Sequence, residues 1–261
     1  MISIKKAEEI ENLKRGGKLL AGILREVTKH VSVGTSTKEL DELAEKLIRR
    51  AGGKPSFKGY NPYGAKRAFP ATLCVSVNDE VVHGIPKRSR VLRAGDIVSL
   101  DIGMFWPVGK KGTRPMATDM AVTVSIGKVP AKSAKLIRDT KEALRCGIAA
   151  VRAGAKTGDV GAAIQEYLEA RSYGIVRDLA GHGVGYQVHE EPFVPNYGRR
   201  GEGVLLKEGM VIAIEPMTTL GDWHVRLDSD DWTFRTGDGS LAAHFEHTLV
   251  VTKTGSTVVT D

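Results

Sequence analysis

Four carboxylates stand in this chain where carboxylates are least expected. Asp101 and Asp119 fall in the alternating segments Asp96 to Gly103 and Thr118 to Ser125, while Glu215 and Glu246 close or interrupt the apolar runs Gly209 to Pro216 and Leu241 to Val251. Glutamate is depleted in strands and almost never fully buried without a partner. Burying several carboxylates together raises their pKa values by desolvation and mutual repulsion, and each uncompensated ion costs several kcal/mol. No Lys or Arg lies within these runs to compensate them. Metal ions are the natural candidates. Either aspartate taken alone reads as a strand-end or turn residue, so the case rests on the company the carboxylates keep.

The imidazole that would complete such a set is His182, held between Gly181 and Gly183, with His189 seven residues on. Glycine has no Cβ and tolerates positive φ, so a histidine between two glycines can be presented to a ligand at a strand end without steric cost. Four carboxylates with one imidazole are hard or borderline donors, suited to Mn, Fe, Co or Zn in a catalytic role. A structural zinc would prefer cysteines. Other candidates have plainer readings when taken alone. His83 sits in a turn before Ile85-Pro86, His189 can bond Glu190, Cys74 lies in an apolar strand from Ala71 to Val77, and Trp232 follows the acidic pair Asp230-Asp231. His30 and His224 belong to no constellation and read as structural, and His247 should point to the face opposite Glu246. The segment from His189 to Phe193 lacks the second histidine of a zincin helix, and no Walker or dinucleotide fingerprint occurs, so no nucleotide cofactor is expected.

These residues need elements to hold them. The segments around Asp101 and Asp119 flank a Pro- and Gly-rich loop, which predicts an antiparallel hairpin with both aspartates projecting toward one point. Apolar residues at helical spacing from Ile10 to Val27 predict an amphipathic helix over 7–30. Ser36-Thr37-Lys38-Glu39 is a capping-box pattern opening a second helix that ends at Ala51-Gly52-Gly53. A shift of 120 residues overlays Gly34 on Gly154, Thr37 on Thr157, Leu40 on Val160 and Ile48 on Leu168. That weak repeat predicts two pseudo-symmetric α/β halves, about 7–127 and 128–252, with a site between them.

With 261 residues, 41% of them hydrophobic, the chain can build one large core. No apolar run is long enough to span a bilayer, the first residues lead into charge, and two cysteines, Cys74 and Cys146, rule out a disulfide framework. A soluble cytoplasmic protein with no membrane contact is expected. The net charge of +7 lacks the aromatic interleaving of a nucleic-acid surface, so no specific nucleic-acid partner is expected.

Asp101, Asp119, His182, Glu215 and Glu246, with His83 in Asn78 to Pro86, resemble in order and context the signature of the type I methionine aminopeptidases over about Ala7 to Thr252. The resemblance implies an α+β pita-bread fold: a single catalytic domain, 1–261, with two α/β halves, a curved antiparallel sheet and helices on its outer face. It implies two divalent metal ions (Co, Mn, Fe or Zn), one bound by His182, Glu215, Asp119 and Glu246 and the other by Asp101, Asp119 and Glu246. Such ions lie roughly 3.5–4 Å apart and make a water between them hydroxide-like near neutral pH. Glu215 would shuttle the proton, His83 and His189 would contact the scissile amide and stabilise the tetrahedral intermediate, and Phe69, Cys74 and Trp232 would receive the methionine thioether. The implied substrate is the amino terminus of a nascent polypeptide whose second residue is small, with a monomeric enzyme drawn to the ribosome by its basic surface. Because Ile2 is large, Met1 is expected to be retained, and the zinc-binding extension of longer eukaryotic members is expected to be absent. Three features depart from the family pattern. The loop over 104–118 is long, aromatic and basic, and is expected to be a solvent-facing hairpin; His244 stands where a glutamine is expected; and Val188 stands where an aromatic is expected. The competing readings are a proline-directed aminopeptidase of the same fold, an inactive peptide-binding module, and a metal-dependent nuclease or phosphatase.

Overall fold

In the computed structural model, which describes residues 2–62 and 66–261, the first amphipathic run folds as helix α1 (Ala7–Thr28) and buries Leu13, Leu20, Leu24 and Val27. Met1, whose retention is predicted above, lies outside the described residues. Helix α2 (Thr37–Arg50) begins at the capping box: the Ser36 hydroxyl accepts from the Glu39 amide, and the Glu39 carboxylate accepts from the Ser36 amide at 2.7 Å. Gly34 enters this turn at φ +91°, where a Cβ would be strained. Half of this device recurs 120 residues on, where Lys156 offers no side-chain acceptor. Gly154 has φ +88°, the Asp159 carboxylate accepts from the Lys156 amide at 2.7 Å, and helix α4 (Thr157–Glu169) follows helix α3 (Ala131–Ala150). In each copy the glycine amide donates to a distant leucine carbonyl, Gly34 to Leu92 and Gly154 to Leu206.

The helices cover one face of a nine-stranded sheet whose described pairings are all antiparallel. At its centre the strands Ile97–Trp106 and Met116–Ser125 form the expected hairpin. Leu73–Val77 pairs with the first of them, and Glu246–Val251 with the second. Val211–Ile214 then pairs with Glu246–Val251, and Gly181–Gly183 with Val211–Ile214. Alternation sorts the side chains. Leu73, Val75, Leu100 and Ile102 pack with α1 and α2 in one cluster, and Ile212, Ile214, Leu249 and Val251 pack with α3 and α4 in another. The residues between them in sequence, the acidic ones among them, are left for the opposite face.

Two expectations change here. The hairpin strands run on through Phe105 and Trp106, so the connecting loop is shorter than its composition implied. Trp106 packs on α1 at Gly16 and donates its indole N–H to the Ala51 carbonyl at 3.0 Å, which leaves the aromatic part of this segment half-buried. The apolar run from Leu241 to Val251 is also not one strand. It breaks at Phe245: Ala242–His244 pairs with Met217–Thr219 in a small sheet, and Glu246 opens the next strand rather than lying mid-strand. The break lets Phe245 enter the core of the second half while His244 and Glu246 turn toward the acidic face. No described helix is long and apolar enough to cross a membrane.

Candidate metal centre and adjoining cavity

Register brings the carboxylates together. Asp101 on the first hairpin strand is opposite Ala121 on the second, and Asp119, two residues from Ala121, is opposite Gly103. From the far side Glu246 is also opposite Ala121. Glu215 follows the strand Val211–Ile214 directly, and His182 is the middle residue of Gly181–Gly183. Ligand atoms of Asp119, His182 and Glu246 lie within 4.8 Å of one another. His182 Nε2 is 3.4 Å from Glu215 Oε1 and 4.0 Å from Glu246 Oε1. Asp101 lies against Asp119 and against the thiol of Cys74, its partner on the neighbouring strand.

The donor chemistry fits a divalent cation. The Gly183 carbonyl can only accept, so His182 Nδ1 carries the proton in their 2.9 Å hydrogen bond. Nε2 therefore turns a lone pair, not a proton, toward two carboxylates. Asp101 Oδ1, Asp119 Oδ1 and Glu246 Oε1 are buried without a hydrogen-bond partner among the described residues. Lone pairs facing lone pairs in a buried site call for a cation. Burial pushes the Asp101 carboxyl up to about 6 and that of Glu215 up to about 8. Asp119 and Glu246 are raised well above the carboxylate range, by burial first and then by the neighbouring negative charges. Burial also lowers His83 and His182 to about 4 and His189 to about 3, so these imidazoles are neutral near pH 7.

The glycines around His182 act differently from expectation. Neither Gly181 nor Gly183 has positive φ; instead a Cβ would overlap the Ala213 carbonyl at the first and the Glu191 carbonyl at the second. The strand is squeezed between two neighbours. Only Gly185, farther along the turn, needs the left-handed region, at φ +140°.

A cavity of about 270 Å³ adjoins the acidic cluster and is walled by Phe57, Tyr60, Phe69, Cys74 and Trp232. Trp232 stands edge-on to Phe69 at 5.2 Å and to His83 at 6.2 Å. Val188 packs in one cluster with Phe57, Phe69, Cys74 and Trp232 of this wall. His83, His182, His189 and Glu215 also border a larger cleft of about 710 Å³, with Arg114 and Gln187 on its rim. The structure thus brings all ten candidate residues to one place. His83 sits at φ +58°, a strained conformation for a non-glycine residue. His189 does not bond Glu190. Its Nδ1 meets the Tyr60 hydroxyl at 2.8 Å, while Glu190 takes Lys5 at 2.7 Å and the Tyr186 and Gln187 amides. Tyr60 and Phe57 went unnoticed in the sequence, since they lie in an irregular segment with no periodicity to mark them. His30, His224 and His247 stay outside the cavity and bond Glu26, Asp222 and Thr260.

Residues 11–253 match metallopeptidase family M24. The chain is 44% identical to the methionine aminopeptidase of Clostridium acetobutylicum, over 100% of this chain and 99% of that one. It is 42% identical to methionine aminopeptidase 1 of Bacillus subtilis, with the same coverage. The solved methionine aminopeptidase of Thermotoga maritima superposes with a TM-score of 0.92 at 42% identity, covering both chains completely. A prolidase from Pyrococcus horikoshii shares the fold, with a TM-score of 0.76 at 21% identity, but this chain spans only 63% of its length. Carrying the pita-bread fold, and matched over nearly its whole length, the chain belongs to metallopeptidase family M24 and, within it, to the methionine aminopeptidases.

Proposed function

We propose that this chain removes the amino-terminal methionine from nascent polypeptides whose second residue is small, by hydrolysis at a centre of two divalent metal ions. The observation that carries the reading is the joining of a buried four-carboxylate, one-imidazole cluster to an aromatic cavity of about 270 Å³. His182, Glu215, Asp119 and Glu246 would hold one ion and Asp101, Asp119 and Glu246 the other, as Mn, Fe, Co or Zn. When bound, the ions polarise the scissile carbonyl, lower the pKa of water and anchor the free α-amino group.

The chain's own groups do the rest. Phe69, Cys74 and Trp232 receive the methionine side chain, since soft and aromatic surfaces suit a thioether. Glu215 borders both the cavity and the cleft, where a carboxylate can take a proton from the attacking water and hand it to the leaving amine. His189, oriented by Tyr60, and His83 are neutral imidazoles placed to hydrogen-bond the amide and the developing oxyanion. The polypeptide beyond the first residue runs into the larger cleft. We read the two halves as a duplication, supported by the matching carboxylates that accept from the Ser36 and Lys156 amides. We read the protein as a cytoplasmic monomer whose basic surface draws it to ribosomes, and failure to sediment with them at low salt would remove that last element.

The test is methionine release from Met-Ala-Ser and Met-Leu-Ser by chelator-treated protein resupplied with Mn, Co, Fe or Zn. Metal-dependent cleavage of the first peptide alone is expected. Binding without cleavage under every metal would replace this reading with a peptide-binding module, and cleavage of an Xaa-Pro peptide instead would mark the proline-directed alternative.

A further inference from the structure

His244 is buried at 1% exposure, and neither of its ring nitrogens has a hydrogen-bond partner among the described residues. An orphaned imidazole inside a protein is costly unless something completes it. Its Nε2 lies 3.4 Å from Oε2 of Glu215, while the other oxygen of that carboxylate lies 3.4 Å from His182 Nε2. Glu215 is thus gripped between two imidazoles. Only one of them can donate. His182 spends its single neutral-form proton on the Gly183 carbonyl, so Nε2 of His182 meets Glu215 with a lone pair.

We propose that His244 is a positioning residue for Glu215: its Nε2–H donates to Oε2 and fixes the carboxylate so that Oε1 faces the His182 side of the centre. The backbone of His244 is set for this task. Its amide donates to Thr123 Oγ1 at 2.9 Å and its carbonyl accepts from the same hydroxyl at 2.8 Å; Thr123 in turn shares a hydrogen bond of 2.8 Å with Ser99. Glu215 is held likewise, its carbonyl accepting from Asn196 Nδ2 at 3.0 Å. With both backbones pinned, the side-chain contact decides which way the carboxylate turns. A glutamine at this place would also offer an N–H, so the role belongs to the donor rather than to the ring.

The proposal rests on the metallopeptidase reading above, and the test separates the two. Mn²⁺ binding to chelator-treated protein is measured by calorimetry for wild type, H244Q and H244L, with Met-Ala-Ser cleavage by the wild type as the baseline. H244L is expected to bind the tightest Mn²⁺ about 10- to 100-fold more weakly, the usual effect of removing the group that orients a metal ligand. H244Q is expected to stay close to wild type. In zinc-loaded wild-type protein with ¹⁵N-labelled histidine, His244 is expected as the Nε2–H tautomer, a readout that does not depend on the folding of a variant. Wild-type affinity in H244L, an equal loss in H244Q, or an Nδ1–H tautomer would each overturn the role while leaving the baseline cleavage intact. Failure of the wild type itself to bind metal and cleave would overturn the metallopeptidase reading, and this role with it.

Discussion

Asp101 and Glu246 share a cross-strand neighbour, for both are paired with Ala121, one from each side. Three adjacent strands therefore carry a row of carboxylate, methyl and carboxylate across one face, with Asp119 two residues along the middle strand. The small side chain at the centre leaves room for the two acids to converge, and the sheet holds them together although their charges repel. Folding spends stability on this arrangement.

Replacing Asp119 by Asn tests that conclusion. The substitution removes a carboxyl that burial and Asp101 hold well above the usual range, with little change of volume. In chelator-treated protein D119N is expected to be more stable than wild type near pH 7, because folding then has neither to bury a charge at this position nor to take up a proton there. The order should reverse with metal present, because Asp119 would serve both ions. Thermal denaturation with and without Mn²⁺ reads both effects, and an unchanged metal-dependent rise in melting temperature for D119N would contradict the ligand role.

The pH dependence carries a definite sign. A carboxyl whose pKa is higher folded than unfolded binds more protons in the native state, so stability falls as pH rises between the two values. For Asp101 that window runs from 3.8 to about 6, and for Glu215 from 4.5 to about 8. The histidines act oppositely. His83 and His182 drop from 6.5 to about 4, so their contribution is lost as pH falls below 6.5. Above pH 6.5 the histidines no longer offset Glu215, and the raised Asp119 and Glu246 act in the same direction, so chelator-treated protein should weaken from about pH 6.5 toward pH 8. Metal ions compete with protons for the same oxygens, so uptake at neutral pH should release protons and tighten as pH rises. Calorimetry in two buffers of different ionisation enthalpy measures the release; none at pH 7 would refute the assignment.

Much of this site was legible because its residues break rules. A glutamate closing or interrupting an apolar run is costly enough to need a reason, and Glu215 and Glu246 announce themselves in that way, whereas Asp101, Asp119 and His182 have plain turn or strand-end readings when taken alone and join the set through the family resemblance. The caps at Ser36 and Glu39 were readable because they are local. The break at Phe245 was not, since the run from Leu241 to Val251 has no Gly or Pro to mark a bend, and the bend comes from pairing with two different sheets. Tyr60 was invisible for another reason: its partner His189 is 129 residues away and no periodicity links them.

That contact gives a third prediction. The Tyr60 hydroxyl and His189 Nδ1, 2.8 Å apart, set which nitrogen of the ring faces the substrate. Y60F keeps the aromatic wall and deletes the hydrogen bond, a loss of about 0.5–1.5 kcal/mol, or roughly two- to thirteenfold in kcat/KM on Met-Ala-Ser. Mn²⁺ affinity should not move. If Y60F weakened the metal as D119N does, Tyr60 would be supporting the ligands and not the imidazole.

The last prediction concerns the strand that carries His182. A Cβ at Gly183 would collide with the Glu191 carbonyl, and the backbone on either side has nowhere to go, since this strand pairs with Glu190–Val194 on one side and Val211–Ile214 on the other. G183A should therefore cost about 2–3 kcal/mol of stability through overpacking. It should also cost about a hundredfold in kcat/KM, because a small displacement here moves His182 and the loop to His189 together. Gly154 supplies the control. It too is a constrained glycine, at φ +88°, but a Cβ there meets open space, far in the chain from any residue of the centre. G154A should lose about 1 kcal/mol from backbone strain and keep its activity. Denaturant titrations and kcat/KM on Met-Ala-Ser for both variants separate the two kinds of glycine. Equal activity in G183A and G154A would show that the spacing around His182 is tolerant, and that the close approach of these strands is not what places the imidazole.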